Sequence, residues 1–189
     1  MLRYGSAIWN YNAFDAPLAN ARRFRALGFD ATSYTAKDFY TLGDADAAAL
    51  AAFLRDSGNA LTVHCLLPDP DHPEAIAEYQ AAARWMREWQ ARYGLMQGLT
   101  FDMWYDRARQ MPLLAWTVTL FRGSGTFIAC EDFPLDAREA ELLEEVARPG
   151  DAFGLLMDVG HMNLRMARAG EHTPEAFVHA FERLPLPVL

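Results

Sequence analysis

The chain has 189 residues, 52% of them hydrophobic, and a formal net charge of −8 at pH 7. This content supplies a core for one domain over residues 1–189 and excludes a disordered chain, and no apolar run reaches the roughly 20 residues of a membrane span. The acidic charge, with a dense basic cluster only at Arg22, Arg23 and Arg25, weighs against a nucleic-acid partner, which usually needs a basic stripe.

Strands and helices alternate along the chain. Apolar runs of strand length lie at residues 2–9, 29–34, 61–67, 96–102, 126–131 and 153–157. Helical periodicity and capping residues predict helices over 17–27, 44–57, 73–93, 104–121 on both sides of Pro112, 136–147 and 173–184. Pro187 begins a seventh apolar run. A strand followed by a helix thus recurs six times, which predicts an α/β fold with a parallel sheet.

Two architectures are compatible with this alternation. A doubly wound sheet is complete at this length, whereas a (β/α)8 TIM barrel takes about 250 residues, so that only about six of its eight units are present. The glycine-rich phosphate loop that usually accompanies the doubly wound fold does not follow the first strand. The residues alone leave both architectures open.

Polar side chains stand at the carboxyl ends of four predicted strands. His64 belongs to the third strand, Asp102 ends the fourth, Glu131 ends the fifth, and Asp158 and His161 follow the sixth. Active sites of parallel α/β proteins lie at this edge of the sheet. Carboxylates with nearby imidazoles suit Mg²⁺ or Mn²⁺, or Zn²⁺ and Co²⁺ where histidine predominates. The pattern therefore favours a divalent-metal site.

Each of these residues also has a structural explanation. His64 in an apolar strand can be a hydrogen-bonded core residue, and Asp158 can be a turn residue before a glycine. Trp9 and Trp104 can pack in the core or form the wall of a substrate pocket.

The two cysteines lie in apolar, strand-like runs. Neither Cys65 nor Cys130 has a basic neighbour in sequence that would activate its thiol. We interpret both as packing residues, and only two cysteines, both in such apolar runs, indicate a reduced, cytoplasmic setting.

Three motifs resemble the xylose isomerase-like TIM barrels, namely LTVHCLLPD from residue 61, FIACEDFP from 127 and GLLMDVGHMNL from 154. That superfamily includes sugar-phosphate isomerase/epimerase-like proteins, ketose epimerases and family 2 AP endonucleases. The resemblance implies that Glu131 and Asp158 are metal ligands. It places His161 beside them as a substrate contact, or as a further ligand in the nuclease branch, and implies that His64 lines the pocket or binds metal.

The resemblance implies a sugar or sugar-phosphate isomerase or epimerase that depends on a divalent metal, with Mn²⁺ or Mg²⁺ favoured and Co²⁺ or Zn²⁺ as alternatives. Glu131 would transfer protons through an enediolate, while His161, His64 and Trp9 would bind the substrate. An AP-endonuclease-like phosphodiesterase and a non-catalytic binding protein are the alternative hypotheses.

The chain departs from this family in one respect. The family completes its metal site with a histidine after strand seven and a carboxylate after strand eight, and neither segment is recognisable in this sequence. We therefore expect a partial barrel cut from a longer protein, with weak or no activity in this form. An open barrel edge exposes unpaired backbone groups, so association into a homo-oligomer that covers it is a further expectation.

Overall fold

The computed structural model describes residues 5–8, 17–131, 141, 146, 152–156, 167 and 170. Six strands and five helices have both ends within these residues. The strands are β1 Gly5–Ile8, β2 Ala31–Thr35, β3 Ala60–Leu66, β4 Met96–Asp102, β5 Phe127–Cys130 and β6 Phe153–Leu155. The helices are α1 Pro17–Ala26, α2 Ala36–Tyr40, α3 Asp44–Ser57, α4 Pro73–Tyr93 and α5 Arg107–Phe121.

The long helix α4 begins and ends where the sequence predicts. Pro73 occupies its first turn, where a missing backbone N–H has no helical partner to lose. Gly94 ends it in the left-handed conformation at φ 66°, which costs glycine little because it has no side chain. Its N–H then donates to the Gln90 carbonyl.

The short helix α2 is absent from the sequence prediction. Thr35 caps it, because its Oγ1 accepts a hydrogen bond from the Asp38 backbone N–H at 3.1 Å and donates to the Asp38 carboxylate at 2.7 Å. Such reciprocal contacts replace the partners that a first helical turn lacks. Five residues are too few to show helical periodicity, so only this cap could have indicated the helix.

Helix α5 continues through Pro112 and does not break there. It begins at Arg107, three residues later than predicted, after Asp106, whose carboxylate accepts the Arg109 N–H at 3.3 Å. An internal proline removes one helical hydrogen bond. Burial of one helix face, including Leu114 and Phe121, offsets that loss.

The sheet order decides between the two architectures. All neighbouring strands are parallel, and they follow chain order from β1 to β6. A doubly wound sheet reverses its strand order at a switch point, whereas a barrel adds each strand on the same side of the last. The described strands show no reversal, so the α/β fold is of the TIM-barrel type, as a partial barrel.

The two faces of the sheet differ in chemistry. Successive strand residues point to opposite faces. Val63, Cys65 and Phe101 are fully buried in the hydrophobic core that also contains the inner faces of α4 and α5. His64, Thr100 and Asp102 alternate with them and therefore lie on the opposite face, which corresponds to the barrel interior. The sheet thus separates an apolar helical layer from a polar interior.

Several predicted features fall outside the described residues, among them the helix at 173–184 and the start of a seventh strand. Glu141 and Val146 have helical backbone, in agreement with the helix predicted over 136–147. None of the helices in the described part of the chain combines the length and apolarity needed to cross a bilayer. Cys65 and Cys130 are both buried, which agrees with their interpretation as packing residues.

Candidate metal centre

Three neighbouring strands bring His64, Asp102 and Glu131 together at their carboxyl ends. In the sheet register His64 lies opposite Thr100, and Leu66 lies opposite Asp102. Glu131 follows β5 directly, and its N–H donates to the Phe101 carbonyl at 2.9 Å. As a result, one ring nitrogen of His64 and one carboxylate oxygen from each acid lie within 4.8 Å of one another.

His64 is at the centre of this cluster. Its Nδ1 lies 3.1 Å from Glu131 Oε1 and 3.0 Å from Thr100 Oγ1. Its Nε2 lies 3.4 Å from Asp102 Oδ2. The three side chains are only 7–11% exposed. The imidazole is therefore held on both edges, and its orientation is fixed by hydrogen bonding as well as by packing.

The carboxylates determine the protonation state of the imidazole. Burial by itself lowers the pKa of His64, but hydrogen bonds to Asp102 and Glu131, with the charges of both carboxylates, outweigh burial and raise the pKa to about 9. At neutral pH, without metal, the His64 imidazole is therefore protonated. A divalent cation that uses His64 as a ligand has to displace a proton first.

The donor set fits a divalent cation. Buried carboxylates are normally paired with cations or coordinate metals, and here two of them share one imidazolium. One imidazole nitrogen with two carboxylates suits Zn²⁺, Mn²⁺ and similar cations. Whichever ring nitrogen binds metal, the other remains beside a carboxylate that can fix the ring, as is usual for metal-bound histidines.

The structure brings together two of the predicted site residues, His64 and Glu131. Asp102, one of the polar groups predicted at strand ends, joins them as the third member of the cluster. Thr100 was missed, although a polar residue two positions before Asp102 points to the same face of β4. Trp9, Asp158 and His161 lie outside the described residues, so their roles remain predictions.

Two large apolar side chains near the cluster residues in sequence are exposed. Trp104 is 69% exposed and Leu66 is 50% exposed. Both follow the cluster residues by two positions, Leu66 after His64 and Trp104 after Asp102. Trp104 is therefore not a core residue, and its place in the wall of a substrate pocket stays a prediction.

Solved structures share this fold. A D-psicose 3-epimerase with D-tagatose from Clostridium cellulolyticum H10 superposes with a TM-score of 0.66 at 14% identity, over 86% of this chain and 65% of its own. A xylose isomerase domain protein from Planctomyces limnophilus has a TM-score of 0.61 at 14% identity, over 98% and 72% of the two chains. The chain shares the fold of this epimerase and of this xylose isomerase domain protein.

A probable 3-DHS dehydratase from Bacillus anthracis, involved in petrobactin synthesis, also has this barrel fold. It superposes with a TM-score of 0.59 at 12% identity, over 82% of this chain and 63% of its own. No protein-family model and no curated protein matches the sequence. The chain spans about two thirds of the length of these three neighbours, and identities this low establish the fold alone.

Proposed function

We propose that the protein is a divalent-metal-dependent sugar isomerase or epimerase. The observation that supports this most directly is the convergence of His64, Asp102 and Glu131 at the carboxyl ends of three adjacent strands. TIM-barrel enzymes carry their active sites at that edge. Among the similar structures, two are described as D-psicose 3-epimerases, one with D-tagatose and one in the presence of D-fructose.

Asp102 and Glu131 would hold the cation through carboxylate oxygens, and His64 through one ring nitrogen. Asp158, a ligand by family resemblance, is proposed to complete the set from the sixth strand. Mn²⁺ or Mg²⁺ is favoured, and Zn²⁺ and Co²⁺ are compatible with the histidine. When bound, such a cation polarises a carbonyl or hydroxyl oxygen of the substrate and makes the adjacent C–H more acidic.

Glu131 is the proposed proton carrier. Its carboxylate would accept the proton from the carbon next to the sugar carbonyl, which leaves an enediolate, and would return it to the neighbouring carbon in an isomerase. An epimerase returns the proton to the opposite face of the same carbon and so needs a second group there. His64 orients the Glu131 carboxylate through their 3.1 Å contact. His161 and Trp9 are proposed to bind the substrate.

The test is conversion of D-fructose, D-psicose, D-tagatose and D-xylose with added MnCl₂, followed by chromatography. Glu131→Gln should lower the rate by about 10²-fold or more, the usual contribution of a positioned base. Glu74→Gln is the matched control, because this side chain is 73% exposed and remote in sequence from the cluster. Activity that survives Glu131→Gln, or that persists in excess EDTA, would reject the proposal.

The imidazole in the cluster supports a second candidate, a metal phosphodiesterase of the AP-endonuclease kind. In that case His64 and His161 both ligate zinc, and the protein holds several zinc ions. Elemental analysis of the purified protein separates the candidates. Several zinc ions per chain together with cleavage of abasic duplex DNA would favour the nuclease, whereas a single exchangeable ion without cleavage would favour the isomerase.

A further inference from the structure

The hydroxyl group of Thr100 contacts the same ring nitrogen of His64 that Glu131 contacts. His64 Nδ1 lies 3.0 Å from Thr100 Oγ1 and 3.1 Å from Glu131 Oε1. On the other edge of the ring, His64 Nε2 faces Asp102 Oδ2 at 3.4 Å. Thr100 lies directly opposite His64 in the pairing of β3 with β4, so the strand register holds the two side chains together. The two nitrogens of the ring therefore have different surroundings.

These distances indicate which ring nitrogen keeps a proton when a metal binds. A neutral imidazole has one N–H group, and its other nitrogen offers the lone pair that binds a metal. N–H···O hydrogen bonds have nitrogen–oxygen distances of about 2.7–3.2 Å. Both contacts of Nδ1 lie in this range, whereas the contact between Nε2 and Asp102 is longer. A proton on Nδ1 is therefore stabilised by two acceptors, which leaves the lone pair of Nε2 for a cation.

Glu131 is not a sufficient partner for that proton in the proposed reaction. There its carboxylate binds the cation and accepts a proton from the substrate, so its negative charge and its available lone pairs change during turnover. A threonine hydroxyl has no charge to lose, and it has two lone pairs that can accept a hydrogen bond. Thr100 is also β-branched, which restricts its side chain to few rotamers. Its hydroxyl is thus a constant acceptor beside Nδ1.

We propose that Thr100 is a positioning residue that keeps the remaining proton of His64 on Nδ1 and so presents Nε2 to the cation. This role rests on the proposed metal centre and adds the identity of the ligand nitrogen to it. Histidines that bind metal usually donate their second ring N–H to a neighbouring acceptor, and removal of that acceptor typically weakens metal binding by about 10–100-fold. Thr100 acts through His64 and needs no contact with the cation or the substrate.

The affinity for Mn²⁺ in three variants tests the role of the hydroxyl. Thr100→Val removes the hydroxyl but keeps the branched shape, and it should raise the Kd for Mn²⁺, measured by electron paramagnetic resonance of the free ion, by about tenfold or more. Thr100→Ser keeps the hydroxyl and should bind Mn²⁺ nearly as the unmodified protein does. Thr62→Val is the matched control, because Thr62 is also partly buried, lies on the same face of β3 as His64 and pairs with Gly98. Its Kd should not change.

NMR spectra of the unmodified protein test the same role without a substitution. Zn²⁺ is diamagnetic, and a long-range ¹H–¹⁵N spectrum of the zinc-loaded protein distinguishes the protonated nitrogen of His64 from the metal-bound one. We expect the proton on Nδ1 and the metal on Nε2. If valine at position 100 prevents folding, Thr100→Ala provides a second variant without the hydroxyl, with the same expected loss of affinity.

Three outcomes would overturn the role of Thr100 and leave the metal centre in place. These are a proton on Nε2 in the zinc-loaded protein, an unchanged Kd in Thr100→Val, and an equal loss of affinity in Thr100→Ser and Thr100→Val, which would indicate packing and not hydrogen bonding. Absence of Mn²⁺ binding to the unmodified protein would reject the proposed metal centre, and the role of Thr100 with it. A protonated Nδ1, with the loss of affinity confined to variants without the hydroxyl, would support the proposal.

Discussion

Replacing Glu131 with glutamine should lower the pKa of His64 measurably. In the metal-free protein that pKa is about 9, compared with an ordinary value of 6.5. A difference of about 2.5 pKa units corresponds to about 3 kcal/mol, supplied by two carboxylates against the opposing effect of burial. Losing one carboxylate should therefore reduce the pKa by at least about one unit. When Asp102→Asn is added, burial dominates and the pKa should fall below 6.5.

The assay is a long-range ¹H–¹⁵N NMR titration of the imidazole nitrogens between pH 5 and pH 10 in EDTA. The His64 signals are assigned by their loss in His64→Gln. Glu74→Gln serves as the control, because its exposed carboxylate should not affect the titration of His64. The electrostatic reasoning is refuted if His64 titrates near 6.5 in the unmodified protein, or if Glu131→Gln leaves its pKa unchanged.

Three further predictions concern stability and the core. The folded-state pKa of His64 lies above its unfolded value, so the free energy that protonated His64 contributes to folding is fully present below about pH 6.5 and is lost as the pH rises to 9. Urea unfolding should therefore show a free energy of unfolding about 3 kcal/mol lower at pH 9 than at pH 6.5, and His64→Gln should remove this difference. Cys65 and Cys130 are both fully buried, and burial raises the pKa of the Cys65 thiol well above its usual range. Both thiols should therefore react with a disulfide reagent only after unfolding, and rapid labelling of the native protein would contradict this. Leu99 is fully buried, so Leu99→Ala should lower the free energy of unfolding in urea by about 2–5 kcal/mol. Leu27 is exposed, so Leu27→Ala should change it by less than about 0.5 kcal/mol. Equal effects of the two substitutions would contradict the assignment of Leu99 to the core.

Local signals in the sequence predict most of the described fold. The bounds of α4 agree with the prediction because Pro73 and Gly94 begin and end it by local backbone chemistry. The bounds of β4 agree because they coincide with the apolar run that ends at Asp102. Helix α2 was missed because its five residues carry no periodicity. The choice of a barrel over a doubly wound sheet depends on strand order. Strand order is a property of long-range pairing, so the sequence of a single segment does not indicate it.

The members of the candidate site could be predicted from the sequence, but their mutual contacts could not. Strand ends indicated His64, Asp102 and Glu131 individually, since polar residues that follow apolar runs stand out in a sequence. Their mutual contact depends on register, which places His64 opposite Thr100 and Asp102 two pairs further along, opposite Leu66. Register is set by how the strands pair in space, so the sequence alone did not show that the imidazole would lie between the two acids.

The most direct test of the proposed metal centre is anomalous diffraction from crystals grown with Mn²⁺, measured at the manganese absorption edge. The account predicts an anomalous peak within about 2.0–2.6 Å of a Glu131 carboxylate oxygen and of a ligand atom from Asp102 or His64. The same peak should vanish in Glu131→Gln crystals grown in parallel. Ordered Mn²⁺ bound elsewhere in the protein, with no peak beside Glu131, would contradict the assignment of this cluster as the metal centre.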